Sequence, residues 1–193
     1  MSKAKISKAD RERRRERMAR SAYVLAVLTK RLDATGESLI TASPVYSAMY
    51  AHRVLKRRWK WGESVIATDC LAAYKYADLV INGPFPLGEK AIARHGHYAS
   101  LYAARLLKGR FVIGERSIAK DPCGSARYAS SVIKGRWKKG EKAIMEEPRA
   151  MLTYARRALR GRLPDPMHNK MLMLTATGDP YAKKYASTKK FML

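Results

Sequence analysis

Glutamates recur at a fixed interval along this chain. Gly-Glu begins at Gly36, Gly62, Gly88, Gly114 and Gly140, in stretches reading GESLI, GESVI, GEKAI, GERSI and GEKAI, each 26 residues after the one before. Acids spaced so regularly could act as general acids or bases, but that work needs a second titratable group within hydrogen-bond reach. The carboxylates here are scarce and mostly committed to repeat positions. His95 and His97 form an H-x-H pair that no other repeat reproduces, and Glu89 is the nearest acid in sequence, so no metal site is expected from them. His52 and His168 stand alone. Cys70 and Cys123 fall beside the turn inside their repeats and read as small packing residues rather than nucleophiles. The glycines occur singly, not in a P-loop or dinucleotide fingerprint. No catalytic, metal or cofactor site is therefore predicted, and the chain reads as non-enzymatic.

What remains is cationic chemistry. Forty Lys and Arg stand against 16 Asp and Glu, a net charge of +24 over 193 residues. Such an excess points to a polyanionic partner: nucleic acid first, an anionic membrane or an acidic protein after it. Two cysteines suggest a reducing compartment rather than a disulfide framework. The apolar run from Ala22 to Leu28 is far shorter than the roughly 20 residues that span a bilayer. The segment ADRERRRERMAR mixes acids with its arginines, unlike a transit peptide. These features together predict a cytoplasmic setting.

The elements that position the charges follow from the repeat, which must be sought before individual helices are assigned. Five units cover residues 36–165 without a gap. Tyr-Ala recurs in each, at Tyr50, Tyr76, Tyr102, Tyr128 and Tyr154, and so does an isoleucine at the fifth place, Ile40, Ile66, Ile92, Ile118 and Ile144. Residues 1–35 read as a basic arm and a capping helix, since SAYVLAVLTKRLDAT resembles half a unit. Residues 166–193, with DPYAKKYAS, read as a degenerate C-terminal cap and basic tail.

Each unit divides into two helices. The first is short and opens at the glutamate. Ser43-Pro44, Asp121-Pro122 and Glu147-Pro148 then supply N-cap and N1 residues for the second. Within the second helix apolar or small residues recur at i, i+3, i+4, i+7 and i+8, as in Ser125, Tyr128, Ala129, Val132 and Ile133. Lys108-Gly109-Arg110, Lys134-Gly135-Arg136 and Arg160-Gly161-Arg162 follow, where glycine is expected to make the left-handed turn. Trp59, Phe85, Phe111, Trp137 and Leu163 come next and are expected to plug the space between helical pairs. A base-stacking platform is disfavoured because leucine is accepted there. Arg58, Arg110 and Arg136 each precede a Gly-Glu glutamate by five residues, which predicts a loop tied by an Arg/Glu contact.

The pattern YA...VIKGRW..GE..I...P resembles a short helical repeat of tailed-bacteriophage proteins, mostly without an assigned activity. That resemblance covers about two thirds of the chain. It implies an all-α fold, an α-solenoid of five two-helix repeats, and a phage source; it carries over no catalytic residues.

At 100° per residue, repeat positions 14, 17, 18 and 21 lie opposite the core stripe. Arg53, Lys56, Arg105, Lys108, Arg127, Lys134, Arg156, Arg157 and Arg160 occupy them, and Asp78 is the only acid there. Stacked units would align them as a basic ridge able to follow a phosphate backbone. The arm adds Arg11, Arg13, Arg14, Arg15 and Arg17 on a helix starting near Ser7 or Asp10, supported by Glu12/Arg15 and Glu16/Arg20 pairs. Met18, Ala22, Leu25, Leu28 and Leu32 form its inward stripe. The expected function is sequence-independent binding of RNA or DNA through ridge and arm, in a host cytoplasm or a virion. The alternative is a scaffold docking an acidic host or phage protein. Membrane association is disfavoured because no exposed apolar face is expected beside the arm.

Overall fold

The computed structural model describes residues 7–192, and among them there is no β-strand. The chain divides into two compact units, Met1–Ile92 and Ala93–Leu193.

The N-terminal unit carries the arm as one long helix, Lys8–Thr29, followed by the short helices Ala34–Ile40, Pro44–Tyr50, Glu63–Ile66, Cys70–Tyr76 and Glu89–Ile92. Ser7 caps the arm helix, its hydroxyl accepting from the Asp10 N–H at 3.1 Å. The buried face of this helix is Ala19, Ala22, Tyr23 and Ala26. The expected stripe is thus corrected: Ala22 is buried and Leu32 half-buried, while Met18, Leu25 and Leu28 are 41%, 52% and 75% exposed. Three alanines let the helix approach Pro44–Tyr50 closely, and the Tyr23 ring then rests 5.5 Å from that of Tyr46. The expected Glu12/Arg15 and Glu16/Arg20 pairs do not form. Glu16 instead accepts from Ser43 Oγ at 3.2 Å, and Arg13 lies 3.9 Å from Asp10.

The C-terminal unit repeats the same alternation in Gly96–Tyr102, Glu115–Ile118, Pro122–Tyr128, Lys138–Ile144 and Pro148–Thr153. It closes with Asp165–Ala176, Pro180–Ala186 and a 3₁₀ turn, Lys189–Phe191. In both units the core is what the repeat predicts: the five isoleucines are fully buried and the five tyrosines are no more than 2% exposed.

Local capping follows the sequence. Ser43, Asp69 and Asp121 each accept the backbone N–H three residues on, from Tyr46, Ala72 and Gly124. Glu147 provides no such cap; its longer side chain accepts instead from Cys123 Sγ at 3.2 Å.

The helix ends differ from expectation. Each second helix widens to π winding near its tyrosine, over Ala51–Leu55, Ala77–Ile81, Ala103–Leu107, Ala129–Ile133 and Tyr154–Leu159. The left-handed residue then comes one place early, at Lys56, Asn82, Lys108, Lys134 and Arg160, all with φ between 50° and 58°. Gly109, Gly135 and Gly161 do not have positive φ. Their N–H groups close the wide turn on the carbonyls of Ala103, Ala129 and Ala155.

A different glycine is required by space. A Cβ at Gly62 or Gly140 would enter the ring of Trp59 or Trp137, and one at Gly88 or Gly114 the ring of Phe85 or Phe111. The glycine of Gly-Glu is therefore the floor on which the loop aromatic lies. These aromatics, with Leu163, are buried to 6% exposure or less, so they plug the fold as predicted and offer no stacking face.

Candidate nucleic-acid interface

The interface is shaped first by what the acids do. Arg58 donates from Nη2 to Glu63 at 3.0 Å, Arg110 from Nε to Glu115 at 2.9 Å, and Arg136 from Nε to Glu141 at 2.7 Å, the three ties expected from their five-residue spacing. A tyrosine completes each knot. Tyr76 donates to Glu63, Tyr128 to Glu115 and Tyr154 to Glu141, all at 3.0 Å. The same hydroxyls accept the backbone N–H groups of Trp59, Phe111 and Trp137 at 2.8, 3.1 and 2.9 Å. Lys139 adds a second cation to Glu115 at 3.1 Å.

The electrostatics agree. The hydrogen bond from Arg58 holds the Glu63 carboxyl below its usual range despite partial burial. Burial alone would raise Glu115 and Glu141, but hydrogen bonds from their arginine and tyrosine partners outweigh it and hold both low. Burial pushes the Tyr76 and Tyr154 hydroxyls up to about 12, so they stay protonated as donors.

At the C-terminal end the knot is rebuilt from other residues. Tyr185 accepts from the Leu163 N–H at 3.1 Å, and His168 Nδ1 lies 2.7 Å from its hydroxyl, where the repeats have a glutamate. Burial lowers the His168 pKa, which suits a neutral ring accepting the tyrosine proton.

With the acids so engaged, the cations face outward. Arg53, Lys56, Arg105, Lys108, Lys134, Arg156, Arg157 and Arg160 are exposed, as are Arg11, Arg13, Arg14, Arg15 and Arg17 on the arm helix. The ridge is nonetheless not the uniform helical face expected. Lys56, Lys108, Lys134 and Arg160 sit beyond the helix, in its left-handed cap, because π winding spends the residues that would have carried them round another α turn. Arg127 is half-buried and donates to Ser100 Oγ at 2.7 Å.

Within the N-terminal unit, Arg53 and Lys56 share a shallow depression with His52, Leu79 and Val80. Within the C-terminal unit, Arg127, Arg156 and Arg157 converge on a cleft of about 530 Å³ and are joined there by Arg149. The sequence reading missed Arg149 because only the fifth repeat carries a charge at that place; comparing the repeats for what differs, rather than what recurs, would have found it.

The arm carries a second correction. Met18, Leu25, Leu32 and Leu39 line an exposed apolar groove bordered by Arg14 and Arg17, so an apolar face does lie beside the basic arm. His95 is exposed at the start of Gly96–Tyr102, its ring 5.0 Å from that of Tyr98. Among the described residues no helix is long and apolar enough to cross a membrane.

Comparison with protein-family models, with curated proteins and with solved structures finds no match for this chain.

Proposed function

We propose that the chain is an α-solenoid that binds RNA or DNA through phosphate contacts, largely independently of sequence, and that it comes from a phage and acts in the infected cytoplasm or the virion. The observation that carries this reading is the division of labour between charges. Glu63, Glu115 and Glu141 are tied within the fold, and Asp69 and Asp121 cap helices, while most Lys and Arg of the ridge and arm point to solvent. A net +24 left unbalanced on a surface favours a partner that supplies closely spaced negative charge. The solenoid reading is supported by the same Tyr/Glu/backbone knot recurring at 26-residue offsets, at Tyr128 and then Tyr154.

The test is retention of the full chain on immobilised single- and double-stranded oligonucleotides at increasing salt. Each phosphate contact adds about 0.7 to 0.9 to the log–log salt slope, so several contacts predict a steep loss between about 50 and 200 mM. Affinity that hardly changed over that range would overturn the reading.

A second reading, a scaffold for an acidic protein, is favoured by the apolar groove of Met18, Leu25 and Leu32 beside Arg14 and Arg17. An amphipathic segment with an acidic flank would satisfy both chemistries of that groove. Partners captured after nuclease treatment, and lost on Leu25→Glu, would support it.

A further inference from the structure

One place on the basic surface gathers more guanidiniums than the other grooves described. Successive second helices leave a groove between them, and two such grooves can be compared. Between Pro44–Tyr50 and Cys70–Tyr76, with their π extensions, within the N-terminal unit, it is a slot of about 170 Å³ lined mainly by apolar residues such as Val45, Met49, Leu71 and Leu79, with Arg53 and Lys75 also on it, and Arg53 and Lys56 share an adjoining depression of about 470 Å³. Between Pro122–Tyr128 and Pro148–Thr153, with their π extensions, it opens to about 530 Å³ and is lined by Arg127, Arg149, Arg156 and Arg157, with Ser130, Ser131 and Thr153. Repeat geometry makes the groove and both grooves carry cations, but of the two only this one gathers four arginines.

The guanidiniums are available. Arg149, Arg156 and Arg157 are exposed, and no carboxylate of the described residues lies within ion-pair distance of them. Arg127 spends one N–H on Ser100 Oγ, which fixes its direction while leaving the other donors of its fork. Ser130 and Thr153 donate their own protons to the carbonyls of Arg127 and Arg149, so they present lone pairs rather than protons. Glu147, the nearby acid, is turned to Cys123 Sγ at 3.2 Å and is not among the lining residues. Four like charges held around one cavity repel one another unless an anion enters. Planar guanidiniums match phosphate oxygens in bidentate geometry better than lysine does.

We propose that this cleft is a phosphate seat, gripping a backbone phosphate of bound nucleic acid with Arg149, Arg156 and Arg157 while Arg127 is held ready by Ser100. It rests on the nucleic-acid reading and sharpens it: the charge is not spread evenly along the repeats but is concentrated at one docking point in the C-terminal unit.

The experiment uses the full chain and a fluorescent single-stranded oligonucleotide, followed by anisotropy across a salt series, with inorganic pyrophosphate as a separate thermal-shift probe. The triple variant R149Q/R156Q/R157Q is compared with R53Q/K56Q, which removes exposed cations outside the cleft. All five are surface side chains, and unchanged melting of the free variants checks the fold. The triple variant should lose about tenfold or more in affinity at low salt and about 2 from the salt slope. R53Q/K56Q should lose less than about threefold, and the triple Arg→Lys variant should recover only part of the loss because its charge returns without the fork. Equal losses in the triple and control variants would overturn the seat while leaving nucleic-acid binding intact. Wild type that ignored the oligonucleotide but was stabilised by pyrophosphate, in a way the triple variant lost, would overturn the nucleic-acid reading and leave the cleft as a seat for a free phosphate compound. No response to either probe would overturn both.

Discussion

Glu115 holds three partners at once: Arg110, Tyr128 and Lys139. A carboxylate so used is a joint between a loop and two helices, and its removal leaves the buried Tyr128 hydroxyl without its acceptor. Glu115→Ala should therefore cost about 2 kcal/mol in chemical denaturation. An unchanged melting temperature would refute the structural role. Tyr128→Phe should cost a similar amount, because the Phe111 N–H is then orphaned inside the core. Only half of this knot was legible in the sequence. Arginine and glutamate lie five residues apart, close enough for a local contact to be inferred, whereas the tyrosine lies 13 residues after its glutamate and 17 after its backbone donor. Those separations become contacts only once the helices are packed. The C-terminal variant of the knot makes a pH prediction. His168 has its pKa lowered by burial, so the unfolded chain binds a proton more readily than the fold does. Stability should be complete above about pH 6.5, the ordinary histidine value, and fall as pH drops below it. Glu63, Glu115 and Glu141, with lowered carboxyl values, add a second loss below about pH 4.3. Thermal melts from pH 8 to 3 should show both steps, and His168→Gln should remove the first.

At the scale of helices and turns, the beginnings were easier to read than the ends. Ser43 and Asp121 announce an N-terminus because a short polar side chain before proline there has one evident use, whereas Glu147, read the same way, makes no cap, and Asp69 caps without a proline to mark it. Nothing in ASSVI or AARLL announces π winding, and it moved the left-handed residue off the glycine. The two kinds of glycine now separate experimentally. Gly140→Ala drives a methyl group into the Trp137 ring and should destabilise by about 1 to 3 kcal/mol. Gly135→Ala meets nothing within 4 Å and should be within about 0.5 kcal/mol of wild type. A comparable loss in both variants would contradict this assignment. Lys134→Gly relieves a side-chain-bearing residue at φ 58° and should raise stability by about 1 kcal/mol, while removing a cation that the proposed interface uses. Basic side chains at Lys56, Lys108, Lys134 and Arg160 thus occupy positions where glycine would be the more stable choice.

For the whole molecule, composition and period were the strongest signals: the all-helical character and the recurring core could both be read before any coordinates. The gathering of four arginines in one groove could be read only in part, since Arg127, Arg156 and Arg157 fall at ridge positions whereas Arg149 stands at a place that carries no charge in the other repeats. The left-handed helix ends have a further consequence, in chemistry the chain does not itself perform. Lys108-Gly109, Lys134-Gly135 and Arg160-Gly161 are bonds after an exposed basic residue, beyond the last helical turn, and they stand 26 residues apart. Trypsin requires a basic residue in a segment that can leave its helix, and such termini open more readily than helix interiors. Brief digestion should release fragments that differ by one repeat, with cuts inside the helices, as at Lys75, appearing later in the mass spectrum. Protection of these bonds by an added oligonucleotide would map the surface it covers, with the repeat length as the ruler.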